Sequence, residues 1–468
     1  MAQRALIVGG GLVGSLLAVA LARLGFEVDV YERSPDPRAS QNQDVNSINL
    51  TLCERGLFAL DRFDLGPRVR EVALPAYGRI IHALDGGTSF QPYGPFREAI
   101  HSISRSRLNR LLVEHACQQR GVRFHFDRRC SEIDPSAPAL RLDDADDESG
   151  GWISGDILFA SDGASSTTRR RLERTTRLHC SQYYVPQAYV ELAVPARGAD
   201  WPLDATAIHV WPRGPLMLIG FANLDRSFTL ALHMPVEGER SFASIQTPAE
   251  LEGMFAELFA DAMPMIPALA EQFFRFPGRS MVTIRCDPWV FEDKVALIGD
   301  SAHAIVPSYG QGANCGFEDV SVLFDCIVSA EGNLPVALAE WQRQRKPDAD
   351  VIADLALEHF TELQSQLADP DFLERKAVER RLTELYPDSF QPLYSLISFT
   401  CVSYREARSR DHGQKRLVDA ILRDVRGAGE PDAEALDSAI HQHVTREWLR
   451  LSTKSSENVH ADRGRATG

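Results

Sequence analysis

Residues 4–14 read Arg4-Ala5-Leu6-Ile7-Val8-Gly9-Gly10-Gly11-Leu12-Val13-Gly14, and Phe26-Glu27-Val28-Asp29-Val30-Tyr31-Glu32 follows twelve residues later. The first stretch predicts a buried strand from Arg4 to Val8, a tight turn, and a helix from Leu12 to Leu24 that Gly25 ends. The second predicts a strand from Glu27 to Tyr31 closed by an acid. In such a unit the first glycine of Gly9-x-Gly11-x-x-Gly14 permits the turn, the second lets a pyrophosphate approach the backbone, and the third lets helix and strand pack closely. The free N–H groups of the helix N-terminus, starting at Leu12, favour the anion. Glu32 is placed to accept hydrogen bonds from a ribose. The uncharged run from Ala5 to Ala22, with Arg4 before it, also imitates a secretory signal. Three adjacent glycines suit an inserted helix poorly, and the acid-terminated strand that follows belongs to a nucleotide site.

Working outward, the chain has 468 residues, 50 Lys+Arg against 65 Asp+Glu, and a net charge of −15. With 44% hydrophobic and 25% charged residues, the composition is that of a soluble globular protein with about three domains or lobes. The acidic balance disfavours a nucleic-acid groove and docking on anionic lipid. No stretch reaches the ~18 apolar residues of a membrane span. Eight cysteines without a CxxC pair predict neither a zinc site nor a disulfide framework, and suit reduced thiols in the cytoplasm.

Two further glycine-rich stretches follow strands. Asp162-Gly163-Ala164-Ser165-Ser166 comes after a strand predicted at Asp156–Ala160. Leu297-Ile298-Gly299-Asp300-Ser301-Ala302-His303 ends a strand near residue 300 and leads into Pro307, Gly310, Gln311, Gly312, Ala313 and Asn314. An acid at a strand end can bond a polyol hydroxyl, and a glycine turn opening a helix can present N–H groups to an electron-rich ring edge. Between these stretches, residues 184–234 are β-rich, with strands expected at Ala207–Trp211, Leu216–Phe221 and Ser227–His233. Thr247, Pro248 and Glu250 form a helix-start signature, with the helix expected to reach Met263. Helices are expected over Arg105–Arg120, 316–330 and 335–366, and over 372–450 with breaks near Pro387 and Pro392. Residues 143–151 are expected to form an acidic hairpin tip.

In this order and spacing the three motifs resemble those of the single-component FAD-dependent aromatic hydroxylases, whose fold is that of para-hydroxybenzoate hydroxylase. The resemblance implies an α/β fold: a Rossmann-type FAD-binding domain (1–75, 98–183 and 285–366) with an inserted mixed β-sheet substrate domain (76–97 and 184–284). A helical C-terminal region (367–453) and a polar tail (454–468), expected to be disordered, complete it. It implies that FAD is held noncovalently by Gly9, Gly11, Leu12, Gly14, Glu32 and Arg33, by Arg105 near the phosphates, by Asp162 and Asp300, and by the loop from Pro307 through Gly310, Gly312 and Ala313 to Asn314. Ala160-Ser161 replaces the family's usual Gly-Ala before Asp162-Gly163. NADPH is implied as a transient electron donor, without a second GxGxxG unit.

Further stretches are similar to the kynurenine 3-monooxygenase family, among them Ser47-Ile48-Asn49-Leu50, Gln91-Pro92-Tyr93-Gly94, Ile208-His209-Val210-Trp211-Pro212 and Tyr394-Ser395. This likeness runs to about residue 407. It implies that Arg79, Tyr93 and Tyr394 clamp the carboxylate of an aromatic amino-acid substrate, since a bidentate Arg–carboxylate pair gives strength and direction. Ile219, Phe221, Pro307, His233 and Leu363 match pocket positions. His359 stands where the family has Asn beside the substrate amine. Glu362, Tyr309 and His359 are the residues expected to steer protons. The implied reaction hydroxylates the ring ortho to the amine with molecular oxygen activated at the flavin C4a position. Two histidines at pocket positions keep open an alternative substrate, a modified kynurenine, an anthraniloyl compound or a quinolone. A non-catalytic flavin protein or a halogenase is the reading from another class, and the WxWxIP motif of flavin halogenases is absent from the sequence. The family's eukaryotic members carry a membrane anchor after the catalytic region, and the chain shows no such segment there, which predicts a soluble bacterial-type member. Monomer and homodimer both remain open.

Overall fold

The computed structural model describes residues 2–39, 49–143, 151–275, 278–365, 370–427 and 434–446. The expected hairpin tip, apart from Asp143 and Gly151, and the tail lie outside them, as do Ser47 and Ile48.

The Arg4–Val8 strand is central in a six-stranded sheet. It pairs in parallel with Glu27–Tyr31 on one side and Ile157–Ala160 on the other. Val122–His125 extends one edge in parallel, Val295–Leu297 extends the other, and the short Val290–Phe291 strand closes that edge antiparallel. Ala5 to Val8 and Ile157 to Ala160 are all buried, as continuous apolar strands covered on both faces must be. The helix between the first two strands runs Leu12–Arg23 and buries every residue from Gly14 to Leu21. It packs against both the Arg105–Cys117 and Gln311–Ser329 helices. The signal-like apolar run is therefore split into a central strand, a turn and a sandwiched helix.

A second sheet of seven strands follows the order Arg279–Asp287, His179–Val194, Phe228–Pro235, Leu216–Ala222, Ile208–Arg213, Gly78–His82, Thr88–Pro92. All its pairs are antiparallel except Ile208–Arg213 with Gly78–His82. Alternation gives it two faces. Trp211, Leu218, Leu230, Leu232 and Leu192 point to one, where they form a core with Leu251 and Phe255 of the Pro248–Leu258 helix. The other face carries the site.

Several boundaries differ from expectation. The Thr247 capping box forms as read, with Thr247 accepting from the Glu250 backbone and Glu250 accepting from the Thr247 backbone. That helix stops at Leu258, not Met263. Phe259 leaves helical geometry to bury its ring in the core, and Arg213 Nε donates to the freed Leu258 carbonyl at 2.5 Å. The helix expected from 316 begins at Gln311, because Gly310 takes φ +66° and turns the chain into it directly. The Arg105 helix ends at Cys117, three residues early. The C-terminal helices run Pro370–Leu385, Leu393–Ser398 and Tyr404–Gly427, with 434–446 also helical.

Candidate active site

The dinucleotide end is built by close approach. Gly9 has φ +101°, and a Cβ there would collide with the Ser161 carbonyl; one on Gly14 would collide with the Gly9 carbonyl. Gly11, the N-cap of the Leu12–Arg23 helix, has nothing within 4 Å of where its Cβ would be, and no side chain caps the helix. That open space over free N–H groups is what a pyrophosphate requires. Glu32 accepts from the Gly10 and Ser34 backbone, both at 2.8 Å, which fixes its carboxylate at the end of the second strand. Arg33 beside it is exposed.

Gly299 and Gly316 bring the second glycine stretch against Val13 of the first helix. Asp300 is exposed at the start of the four-residue Asp300–His303 helix, and its Oδ1 lies 4.0 Å from where a Gly312 Cβ would sit. The helix N-terminus at Gly11, the Asp300 carboxylate and the Gly312 turn thus line one strip, and these residues fit FAD. Asn314 holds the loop by donating to Thr51 O and Gly310 O, each at 2.8 Å. Ala313 packs on the core, and Pro307 is exposed. Asp162 accepts from Ser166 Oγ, Thr167 N and Thr168 N, so its carboxylate caps the Thr167–Thr175 helix. Arg105 is the exposed first residue of its helix, and its charge acts on Glu191 and Tyr189 of the second sheet.

The candidate substrate residues lie on the face of the second sheet opposite that core. Arg79 pairs with Ile208, Val210 with Ile219, Met217 with His233, and Phe221 with Thr229. These registers put Arg79, Ile208, Val210, Ile219, Phe221 and His233 on one face. Ile219, Phe221, Met217 and Tyr93 cluster there with Phe399 and are only partly buried. The Arg79 guanidinium carbon is 4.6 Å from the Tyr394 ring centroid and 5.5 Å from that of Tyr93, and the two rings stack 5.5 Å apart. Among the described residues no carboxylate pairs with Arg79.

Ser308 Oγ donates to Ala356 O at 2.6 Å, tying the loop to the Leu334–Ser365 helix. Tyr309 then stacks on His359 at 4.2 Å and lies 5.8 Å from Tyr394. His359 Nδ1 is 3.3 Å from Glu362 Oε2, while its Nε2 is buried without a partner. Burial pushes the His359 pKa below the usual imidazole range, partly offset by Glu362. Burial also raises the Tyr309 phenol, so it is protonated at neutral pH. Burial alone would raise Glu362, but His359 and Lys376 hold it below the usual carboxylate range. His233 is 8% exposed, stacks on Tyr189 at 5.4 Å and has an unpartnered Nδ1; burial holds it at about 4. Leu363 lies in the same helix as His359, and its side chain is outside the described set. A cavity of about 660 Å³ opens behind Tyr309, His359 and Glu362 toward the C-terminal helices.

Sequence reading brought together Arg79, Tyr93 and Tyr394, and Tyr309 with His359 and Glu362. It missed Val210, Met217 and Phe399. The alternation of Ile208-His209-Val210-Trp211 would have found Val210; nothing local marks Phe399.

A mainly parallel dinucleotide sheet combined with a second, mixed sheet is the arrangement of the flavin-dependent aromatic monooxygenases. Residues 3–349 match the family described as FAD binding domain. The chain is 41% identical over 424 residues to kynurenine 3-monooxygenase of Flavobacterium psychrophilum, covering 90% of this chain and 94% of that one. It is 39% identical over 464 residues to kynurenine 3-monooxygenase of Myxococcus xanthus, covering 99% and 98%. The chain belongs to the kynurenine 3-monooxygenase family. Among solved structures, 2-methyl-3-hydroxypyridine-5-carboxylic acid oxygenase aligns with a TM-score of 0.63 at 21% identity, over 80% of this chain and 95% of that one. PqsL of Pseudomonas aeruginosa, in complex with 2-aminobenzoylacetate, aligns with 0.63 at 22% over 78% and 97%. At these identities the two share the fold. Among the described residues no helix is long and apolar enough to cross a membrane.

Proposed function

We propose that the chain hydroxylates the aromatic ring of L-kynurenine ortho to its amine. The observation that carries this reading is Arg79, held against a stacked pair of tyrosine rings without a carboxylate partner among the described residues. A partly buried guanidinium in that setting is completed by a ligand carboxylate. A quinolone without an amino-acid group would leave it unpaired.

Gly11, Leu12, Glu32, Asp300, Gly312 and Asn314 would hold FAD, which when bound supplies reduction by NADPH and activation of molecular oxygen. Arg79, Tyr93 and Tyr394 bind the substrate carboxylate and orient the molecule. The apolar face at Val210, Ile219 and Phe221 receives the ring and excludes water. Glu362 is ionised, so His359 Nδ1–H donates to it, and the bare Nε2 is left to accept from the substrate amine. Tyr309 packs His359 in place. In this reading the flavin-binding part comprises 1–75, 98–183 and 285–366, and the substrate-binding part 76–97 and 184–284. All eight cysteines are free in the structure, which agrees with a cytoplasmic enzyme using NADPH.

The test is NADPH oxidation by the purified, FAD-loaded protein. L-kynurenine should stimulate it and yield a product one oxygen heavier, hydroxylated next to the amine. If L-kynurenine neither stimulates oxidation nor is hydroxylated, the proposal fails.

A further inference from the structure

Behind the active-site loop lies a cluster of buried polar side chains that the proposed reaction does not use. Arg55, in the helix after the Asn49–Leu52 strand, is 1% exposed. Its Nη1 is 2.5 Å from Glu318 Oε1, and its Nη2 donates to Val402 O at 2.7 Å. Its guanidinium carbon lies 3.9 Å from the centroid of the Tyr404 ring. Tyr404 is fully buried and donates from its hydroxyl to Gln311 Oε1 at 2.9 Å. Gln311 in turn donates to Tyr309 O at 3.4 Å.

This cluster grips two segments at once. On one side Gln311 opens the helix that follows the Pro307–Gly310 loop and is bonded to the backbone of Tyr309. On the other, Val402 and Tyr404 end the segment that begins with Tyr394. Phe399, midway, is in ring contact with both Tyr93 and Tyr394, at 5.6 and 6.1 Å. Only a short stretch separates each anchored end from the rings of Tyr309 and Tyr394, which face each other at 5.8 Å.

We infer that Tyr404 is a positioning residue: through its hydroxyl and Gln311 it sets Tyr394 in register with the flavin loop. The inference rests on the reading of Arg79, Tyr93 and Tyr394 as the carboxylate clamp. A role in packing alone is the competitor, and the two separate on one atom. Tyr404→Phe keeps the ring, its burial and its contact with the Arg55 cation, and removes only the donor to Gln311. The Gln311 carbonyl is then left buried without that donor, which loosens the loop it belongs to.

Hydrogen exchange on the FAD-loaded protein, without substrate, reads this directly. Tyr404→Phe should make the amides of 307–314 and of 393–403 exchange together, about tenfold faster than in the parent. In turnover the KM for L-kynurenine should rise about tenfold with kcat within about twofold, and Tyr404→Phe with Gln311→Leu should be no worse than Tyr404→Phe alone. Exchange unchanged in either segment, an unchanged KM, or additive losses in the double variant would overturn the inference. Failure of the clamp reading is seen separately, as a parent enzyme that ignores L-kynurenine, and the exchange measurement still decides the role of Tyr404.

Discussion

Arg79 and Tyr394 come from opposite ends of the chain and meet face on, guanidinium carbon 4.6 Å from ring centroid. The first is delivered by an inner strand of the second sheet, the second by a six-residue helix, Leu393–Ser398, that follows the Pro392 break. Arg79→Ala should weaken L-kynurenine binding by about 2–4 kcal/mol, the cost of leaving a buried carboxylate unpaired. FAD content should not change. Spectral titration of the bound flavin with L-kynurenine measures both, and parental affinity in the variant would place the carboxylate elsewhere.

Noncovalent FAD is the second expectation. Covalent attachment needs a reactive His or Cys at the flavin, and residues 307–314 contain neither. Cys315, the next residue, is fully buried and its thiol is pushed well above the ordinary range by burial. Acid precipitation should release the yellow colour into the supernatant; colour kept in the pellet would contradict this.

The glycines of the turn divide by what surrounds them. Gly14→Ala forces a methyl group into the Gly9 carbonyl and should cost about 1–3 kcal/mol of stability even without FAD. Gly11→Ala meets no protein atom, so the FAD-free protein should melt like the parent. Its methyl instead occupies the space over the helix N-terminus, and FAD affinity should fall. Melting curves with and without FAD separate the two, and equal behaviour of the two variants would refute the assignment.

Local chemistry explains why the nucleotide unit was legible. Residues 4–32 carry their strand, turn and helix signals in one continuous stretch, and the structure keeps them almost to the residue. The Phe259 break was not legible, because a helix pattern continues through it and Phe259 joins the same core as Leu251 and Phe255. Asp162 carries a structural task that its place after a strand does not announce: the local Ser166-Thr167-Thr168 sequence engages its carboxylate as a helix cap. The Arg55–Tyr404–Gln311 cluster joins three distant parts of the chain, and no periodicity or spacing records such a meeting.

Acid should destabilise the fold through buried neutral histidines. His209 and His233 are both held at about 4 by burial, below the ordinary 6.5. A depressed imidazole contributes stability that is complete above the unfolded pKa and is lost as pH falls from about 6.5 to about 4, because only the unfolded chain takes up the proton. The loss is about 1.4 kcal/mol per pH unit per histidine within that window. His233→Phe removes one such proton and an unpartnered buried nitrogen. Urea midpoints should therefore fall less between pH 7 and pH 5 in the variant, with stability at pH 7 equal or higher. A variant as acid-sensitive as the parent would show that His233 is not the group responsible.

His359 carries the last prediction, through its tautomer. Its Nδ1 faces an ionised Glu362 at 3.3 Å, so the proton sits on Nδ1 and Nε2 keeps a lone pair. That lone pair is what a substrate amine needs. Protonation converts Nε2 into a donor and removes the acceptor. Burial lowers the His359 pKa, so the change falls below about pH 6.5. The kcat/KM for L-kynurenine should therefore decline on the acid side of that value in the parent. Asn offers an acceptor at every pH, so His359→Asn should flatten the acid limb while keeping kcat/KM at pH 7.5 within about threefold. His359→Leu, with no acceptor, should lose about tenfold or more at all pH values, since an unpaired amine hydrogen bond costs roughly 1–3 kcal/mol. An acid limb that survives intact in His359→Asn would assign the titration to another group and separate His359 from the amine.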